Sequence, residues 1–525
     1  MSLIKMYGLH YYLFAGILFL SSGFIRGQTT APDSALQQII ESLEGQSMTL
    51  AAVIDLAKKN STAIGRAEAL YMATAGNLKR QRGYFDPGFY FNFYYNDLDI
   101  PTSTLFAGAD ILKTQETTAQ TGLTLNLPIG TQLQLGLNTY SINTNSQFAF
   151  LNPEYNGFGS LSLRQPLLEG FTATGRRDLT FAEFEYEAAK ALYDQEVISV
   201  ISEVEIAYWN LYTAERNYGV QKLVRDRASE FLTETELREE AGLVGPEQVA
   251  NAKTFLAEQE IILIDQEEEL DKQSDLIAVL TGTRPEPIDS RFKTVDVPPS
   301  EFPIEPVDAM IDYAIQSNLQ LKAVQEEINA ANTLVDAASW QVLPSLDLVG
   351  SYSGAGLGGD PQAVIFGTDT LQTTTSGSYG DMLSQIVKRD FPGWSIGFEL
   401  SVPIGLRSNI GEKERLEALS DLTEQRYTEL TRDIEKSVRQ AHRELIHGNR
   451  RLNAATDGVE AAQEQVRIGR IEFQNGRTTA FELVRLGEDF AKAQRRYSEA
   501  LVRTVNAVAK LKQLTSGKYP DNSNN

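Results

Sequence analysis

The 525-residue sequence has no cysteine, three histidines, six methionines and three tryptophans. Without cysteine there is no disulfide framework, no thiolate metal site and no N-terminal cysteine to carry a lipid. Few soft ligands also argue against copper or silver as cargo. Basic residues are in deficit, 47 Lys and Arg against 70 Asp and Glu, for a net charge of −23. A chain so acidic, without a basic stripe interleaved with aromatics, repels phosphate backbones, and nucleic acid is excluded as a partner. Long apolar runs are missing too. The one over residues 9–20 follows Lys5 and precedes Ser21, Ser22 and Gly23. At roughly 12 residues it falls short of the ~20 that a spanning helix needs and reads as the core of a secretory signal peptide over 1–27.

Catalytic chemistry has little to work with. His10 lies in the leader, and His442 and His447 are five residues apart, about 140° around a helix, too far round to share a metal. The segment GAGLGG at 354–359 fits a dinucleotide fingerprint, but Asp360, Pro361 and a Thr/Ser/Gly-rich stretch follow where a helix is required. The expectation is no enzyme, no catalytic residue, no metal and no cofactor.

What is present is duplication. Ile54, Asp55 and Ala57 recur as Ile311, Asp312 and Ala314, 257 residues later, and Pro87 and Pro344 keep that offset. Pro166 and Pro403 are 237 apart, while Val204, Ala207 and Leu211 return as Val438, Ala441 and Leu445 after 234. Gly242 and Gly476 share the offset of 234. Two tandem repeats follow, over 48–284 and 305–517, with an N-terminal linker at 28–47, a proline-rich connector at 285–304 and a disordered tail at 518–525.

Each repeat reads as a helix, a β section (86–168, then 344–404), a very long helix, a tight tip (242–247, then 475–479) and a return helix. In the second, Val438, Leu445, Leu452, Val459, Val466 and Phe473 recur every seven residues, with Ala441, Gly448, Ala455, Ala462 and Gly469 three after each of the first five. That is a coiled-coil seam of large and small residues, which lets helices approach closely. The helices before the strands are expected over 49–84 and 306–343, and the long helices from Gly170 and Arg407. In the β sections Phe89, Phe91, Phe93 and Tyr95 alternate with Asn92 and Asn96, and Trp394, Ile396, Phe398, Leu400 and Val402 with Ser395, Gly397, Glu399 and Ser401. One apolar and one polar face over about ten residues is the pattern of a lipid-exposed barrel strand. The stretch 353–378 reads as a long polar loop. Segment 121–142, with Leu123, Leu125, Leu133 and Leu135, reads as an added hairpin whose place is left open.

A leader, two copies, strands set between helices, LSLRQPLLEG at 161–170 and AYWNL at 207–211 together resemble the TolC-like outer-membrane efflux proteins over roughly 48–517. The segments GLVGPEQV at 242–249 and NGRTTAFEL at 475–483 look like that family's helical tips. The resemblance implies a mixed α/β membrane protein, a homotrimer in which about four strands per protomer build a shared outer-membrane β-barrel continued by a periplasmic α-helical coiled-coil barrel. It implies partners in outer-membrane lipid, a periplasmic adaptor and an inner-membrane pump, for either efflux or type I secretion. Adaptor docking then falls on Gly242, Leu243, Val244, Gly245, Gly476, Arg477, Thr478 and Thr479, and the constriction on Glu482. The position three after Glu482 is Arg485 where the family pattern has a second acid, and in the first tip Gln248, with Glu247 beside it, stands at the place of Glu482.

Charge separates the two tips. Residues 230–272 hold 13 acids and 3 bases, net −10, whereas the homologous 464–506 hold 6 acids and 8 bases, net +2. Glu239, Glu240 and Glu247 against Arg470, Arg477 and Arg485 are candidate gate ion pairs. A periplasmic coiled-coil scaffold or adaptor without a pore is the other reading of the same pattern.

Overall fold

The computed structural model describes residues 34–285, 291–475 and 477–517. The leader expected over 1–27 and the tail at 518–525 lie outside the described residues. In chain order the elements are α1 (Ser34–Glu41), β1 (Gln46–Met48), α2 (Leu50–Asn60), α3 (Thr62–Gly83), β2 (Gly88–Pro101), β3 (Ile111–Asn126), β4 (Gln132–Thr144), β5 (Leu151–Pro166), α4 (Thr172–Gly175), α5 (Arg177–Glu240), α6 (Pro246–Thr281) and β6 (Phe292–Thr294). There follow α7 (Val307–Ser317), α8 (Leu319–Gln341), β7 (Ser345–Pro361), β8 (Val364–Phe366), β9 (Asp369–Leu371), α9 (Tyr379–Lys388), β10 (Phe391–Ser401), α10 (Arg407–Gln474) and α11 (Ala480–Leu514). The same order of parts occurs twice, with 64 residues in α5 and 68 in α10. No helix among the described residues is long and apolar enough to cross a membrane.

The chain divides into two compact units, one of residues 44–215, 267–455 and 496–525, the other of 1–43, 216–266 and 456–495. The first holds a six-stranded antiparallel sheet in the order β10-β7-β5-β4-β3-β2. Four strands were expected; the hairpin β3–β4 is hydrogen-bonded into the sheet between β2 and β5. Register explains why it fits. Phe89, Leu123, Leu135, Leu161, Tyr352 and Trp394 are successive cross-strand partners, one row across all six strands. All six are solvent-exposed in the single chain, from 46% for Leu123 to 75% for Trp394.

The opposite face is polar. Ser351 and Ser395 share a hydrogen bond of 2.8 Å, and Arg164 donates to the buried Asp347 and lies 3.4 Å from Glu399. On the apolar face α9, opened by a Ser378/Asp381 capping box, seats Met382 and Ile386 over Gly157, Gly159, Gly354 and Gly356. A side chain at any of these glycines would collide with the helix. The expected loop at 353–378 is therefore corrected, since β7 runs on to Pro361 and a small β8–β9 hairpin follows. The glycines at 354–359 lie within that strand and not in a strand-to-helix turn.

The helices before the strands are each two, not one. The breaks fall at Ser61 and Asn318, 257 residues apart, both extended and both capping the helix that follows. Asn318 accepts from the amides of Gln320 and Leu321 at 3.0 and 3.2 Å and donates to Leu514 O at 3.1 Å. Next to the breaks, Asn60 donates to Thr281 O at 2.9 Å and its counterpart Ser317 to Thr515 O at 3.4 Å. Each break thus locks onto the end of its own return helix. A chain that turns away mid-helix leaves amides without partners, and a side-chain cap supplies them.

The long helix of the first repeat begins at Arg177 and not at Gly170, after the short α4; Gly170 and Phe171 both take positive φ there. The coiled-coil seam is buried from Val438 to Leu452, and beyond it Val459, Val466 and Phe473 are half-buried. Val438, Ala441 and Leu445 close a core with Met310, Ile311, Ala314, Leu321 and Leu511, and Val204, Ala207, Leu211 and Ala214 are buried in the first repeat. Linker and connector contain structure the sequence did not announce. β1 pairs in parallel with β6, and Tyr208 of α5 ties the two ends, donating to Met48 O at 3.0 Å and accepting from the amides of Val295 and Asp296 at 3.1 Å. Burial pushes ionisation of its phenol up to about 12, so it stays a donor at any working pH. His442 is buried too, its Nε2 2.9 Å from Glu305 O, a structural use of the imidazole.

Asn318→Ala removes the single acceptor of two capping bonds and a donor, and we expect it to cost about 2 kcal/mol, whereas Ser61→Ala, with one long bond of 3.5 Å, should cost only about 0.5 kcal/mol. Denaturant midpoints of the purified variants check this order, and equal losses would show that the caps do not set the break.

Candidate functional site: the helical tips

Both tips lie in the second unit. In the first, Gly242 has φ +72°, the left-handed turn that lets the chain leave α5 without a Cβ clash. Gly242 N donates to Glu239 O and Leu243 N to Arg238 O, both 2.8 Å, the paired bonds of a Schellman turn. Pro246 then opens α6 where a missing amide proton costs nothing. In the second tip Arg477 N donates to Glu472 O at 2.9 Å, the first tip's bond displaced by 234 residues. Gly476, the counterpart of Gly242, lies outside the described residues.

Thr479 caps α11, its Oγ1 accepting from Glu482 N at 3.2 Å. Glu482 is thus the third residue of the helix, a favoured place for an acid. Its carboxylate holds Arg485 of the same helix through contacts of 2.5 and 3.1 Å, which raises the guanidinium's already high pKa. Within the chain Arg485 is engaged by Glu482. Among the described residues no ion pair joins Glu239, Glu240 or Glu247 to Arg470, Arg477 or Arg485. Lys253 and Arg238 instead neutralise Glu236 and Glu234, at 3.1 and 2.6 Å.

The tips meet through aromatics that charge reasoning did not select. Phe231 of α5 and Phe481 of α11 pack with centroids 6.0 Å apart. With Glu234, Thr235, Arg238, Val244, Gln248, Asn251 and Thr479 they line a cleft of about 390 Å³. Leu243 and Phe481 stay exposed beside it, at 74% and 50%, apolar surface on an otherwise charged end. Below the cleft Gly469 of the seam admits Leu486, with Leu483 beside it. Leu36 of α1 closes a small core with Val220, Val224 and Ala491, so the segment expected as linker is a packed part of this unit. The apolar spacing of Leu36, Ile39 and Ile40 is the sequence signal for this packing. Among the described residues no cluster of His, Asp or Glu could hold a metal.

Residues 310–517 match the family model described as outer membrane efflux protein. The fold is shared with solved outer-membrane channels. CmeC of Campylobacter jejuni is 16% identical with a TM-score of 0.63, covering 90% of this chain and 86% of that one. MtrE of Neisseria gonorrhoeae is 16% identical, TM-score 0.59, covering 89% of each chain, and VceC of Vibrio cholerae 15%, TM-score 0.60, covering 89% and 96%. A comparison with curated protein sequences finds no match. The resemblance to the TolC-like outer-membrane efflux proteins therefore holds, in sequence over the second repeat and in fold over nine-tenths of the chain. The chain is thus similar in sequence to outer membrane efflux proteins over 310–517 and shares the fold of solved outer-membrane channels.

Gly242→Ala places a Cβ in open space but in the left-handed region, a loss of about 1 kcal/mol from backbone alone. Gly245→Ala, also without a neighbour and with ordinary φ, should cost much less. Limited proteolysis is expected to cut the first variant faster at 241–245 and to leave the second at the wild-type rate.

Proposed function

We propose that three copies of the chain form a passive exit duct, gated at the helical tips, that receives cargo from a periplasmic adaptor and an inner-membrane pump. The observation that carries this reading is the state of the sheet edges. Among the described residues β2 pairs only with β3 and β10 only with β7, leaving two long edges with apolar side chains on one face. In lipid every backbone donor and acceptor needs a partner, so such edges persist only where copies close a barrel. Energy for transport comes from the pump.

The docking surface is the pair of tips, with Leu243, Val244, Gly242 and Gly245 on one and Arg477, Thr478, Thr479 and Gly476 on the other. The exposed Leu243 and Phe481 offer the adaptor an apolar anchor beside the turns. Glu482 supplies one carboxylate per copy to a threefold neck, which favours cations. Arg485 tempers that field from the same helix. Acidic first tips and basic second tips alternate around such a mouth, and Glu239, Glu240 and Glu247 of one copy face Arg470 and Arg477 of the next. Exposed pairs contribute only about 0.2–1 kcal/mol each, so the latch acts by threefold repetition and weakens as salt shortens the Debye length.

Purified protein in a planar bilayer tests the reading. We expect discrete, cation-selective steps whose conductance rises faster than that of bulk solution as salt increases. Glu482→Gln should lower the cation preference and Arg485→Ala should raise it, and the double change R470A/R477A should lift the low-salt conductance toward the high-salt value. Unchanged conductance in the double variant sinks the latch. Protein that is soluble without detergent and never inserts would instead be a periplasmic scaffold.

A further inference from the structure

We infer that hairpin β3–β4 is part of the barrel wall, so that the outer portal closes with eighteen strands and not twelve, and that cargo is sized at the tips and not at the portal. The inference rests on the three-copy closure proposed above. Four features of the sheet carry it. First, the hairpin is paired along nearly its whole length on both sides, β3 with β2 over residues 111–124 and β4 with β5 over 132–142. A hairpin lying over a pore as a plug would leave one of these ladders unmade. Second, it continues both faces in the half nearest its turn. Leu123 and Leu135 extend the exposed apolar row from β2 to β5, while the opposite face carries Gln120 paired with Asn138 and Thr124 paired with Gln134. An insertion facing water on both sides has no reason to keep that alternation.

Third, the tight turn between β3 and β4, at Pro128, Ile129 and Gly130, packs Gly130 close to Pro166 and to Gly175 of α4, at the end of the sheet where the helices begin. Barrels of this kind keep short turns on the periplasmic side. Fourth, with six antiparallel strands β2 and β10 run in opposite directions, so β10 of one copy meets β2 of the next in antiparallel fashion. Three copies then give an even number of strands with one pattern throughout.

With strands about 4.8 Å apart and tilted by about 40°, a wall of 18 strands is roughly 36 Å across its backbone and one of 12 roughly 24 Å. The portal area is then about twice that of a twelve-strand barrel. Side chains fill a barrel of about eight strands, whereas walls of 16 to 18 leave an open aqueous channel. Such a portal passes bulky solutes or polypeptide without contacting them closely, and selection is left to the helical mouth.

The absence of cysteine makes single-site labelling clean. Spin labels at Phe398→Cys in β10, a wall strand in either case, report the spacing between copies in the reconstituted full chain. Eighteen strands predict a backbone separation of about 31 Å and twelve about 21 Å, with the same label offset. In parallel, labels at L123C and L135C should collide with oxygen dissolved in lipid, and those at Q120C and N138C with a water-soluble nickel chelate. A spacing near 21 Å, or all four hairpin labels accessible to nickel, overturns the inference. No defined spacing at Phe398, from protein that stays monomeric, overturns the three-copy reading instead. Should the variants fail to assemble, counting strands by electron microscopy of the unmodified chain in lipid nanodiscs decides between eighteen and twelve.

Discussion

A sheet edge cannot be left open in a hydrocarbon environment. Water competes for an exposed edge in solution at modest cost, but lipid offers no partner, and each unmade backbone bond costs several kcal/mol. Strands β2 and β10 are 14 and 11 residues long, so the chain cannot be a finished object in a membrane by itself. The proposed assembly thus follows from the hydrogen-bond inventory of one chain before any interface side chain is considered. The apolar row from Phe89 to Trp394 is the side-chain counterpart of the same constraint: exposed in the isolated chain, it is the face that the proposed barrel turns to lipid. The polar face, with Arg164, Asp347 and Glu399 gathered at one place, is what remains for water.

The helical half answers a different demand, that of ending and restarting helices without losing bonds. The breaks at Ser61 and Asn318 and the bonds from Asn60 and Ser317 to the return helices are the same joint made twice. Chemistry has drifted at each place, Ser against Asn and Asn against Ser, yet the roles of acceptor for the next helix and donor to the last carbonyls are kept. Such repetition marks the joints as constraints on the backbone. The surrounding core, Val438, Ala441 and Leu445 against Met310 and Ala314, needs only apolar residues of suitable size and tolerates more change.

Much of this was legible in the sequence. Seven-residue spacing in α10 and period-two alternation in β2 and β10 arise from burial and exposure along a regular element, and both survive in the residues. The repeat offsets located the tips, and Gly242 announced its turn because few other residues take positive φ there. Less visible were features that depend on where chain segments meet. Ser61 and Asn318 do not interrupt the apolar period, so one helix was expected where two occur. The place of β3–β4 in the sheet follows from register across four neighbours, which no local pattern encodes. Phe231 and Phe481 are 250 residues apart in sequence and are joined only by the fold of the tip. The pairing of Arg485 with Glu482 is the simplest local arrangement, a three-residue step on one helix face, which a charge sum over a long window does not register.

The tips show how one backbone can support two electrostatic surfaces. Leu243 to Arg238 and Arg477 to Glu472 are the same hydrogen bond, and it involves main-chain atoms only. A turn fixed in this way places few demands on the side chains around it, beyond glycine at the left-handed position and a residue able to start the next helix. Pro246 meets the second need in one copy and Thr479 in the other. Side chains flanking the turns were thereby released from structural duty, and the windows around them diverged to −10 and +2. In a ring of identical chains that divergence is what turns two equal tips into complementary neighbours. Like charges at both would repel around the whole circumference, whereas opposite ones attract at every junction. Duplication supplied the paired scaffold, and the main-chain turn left the charges free to differ.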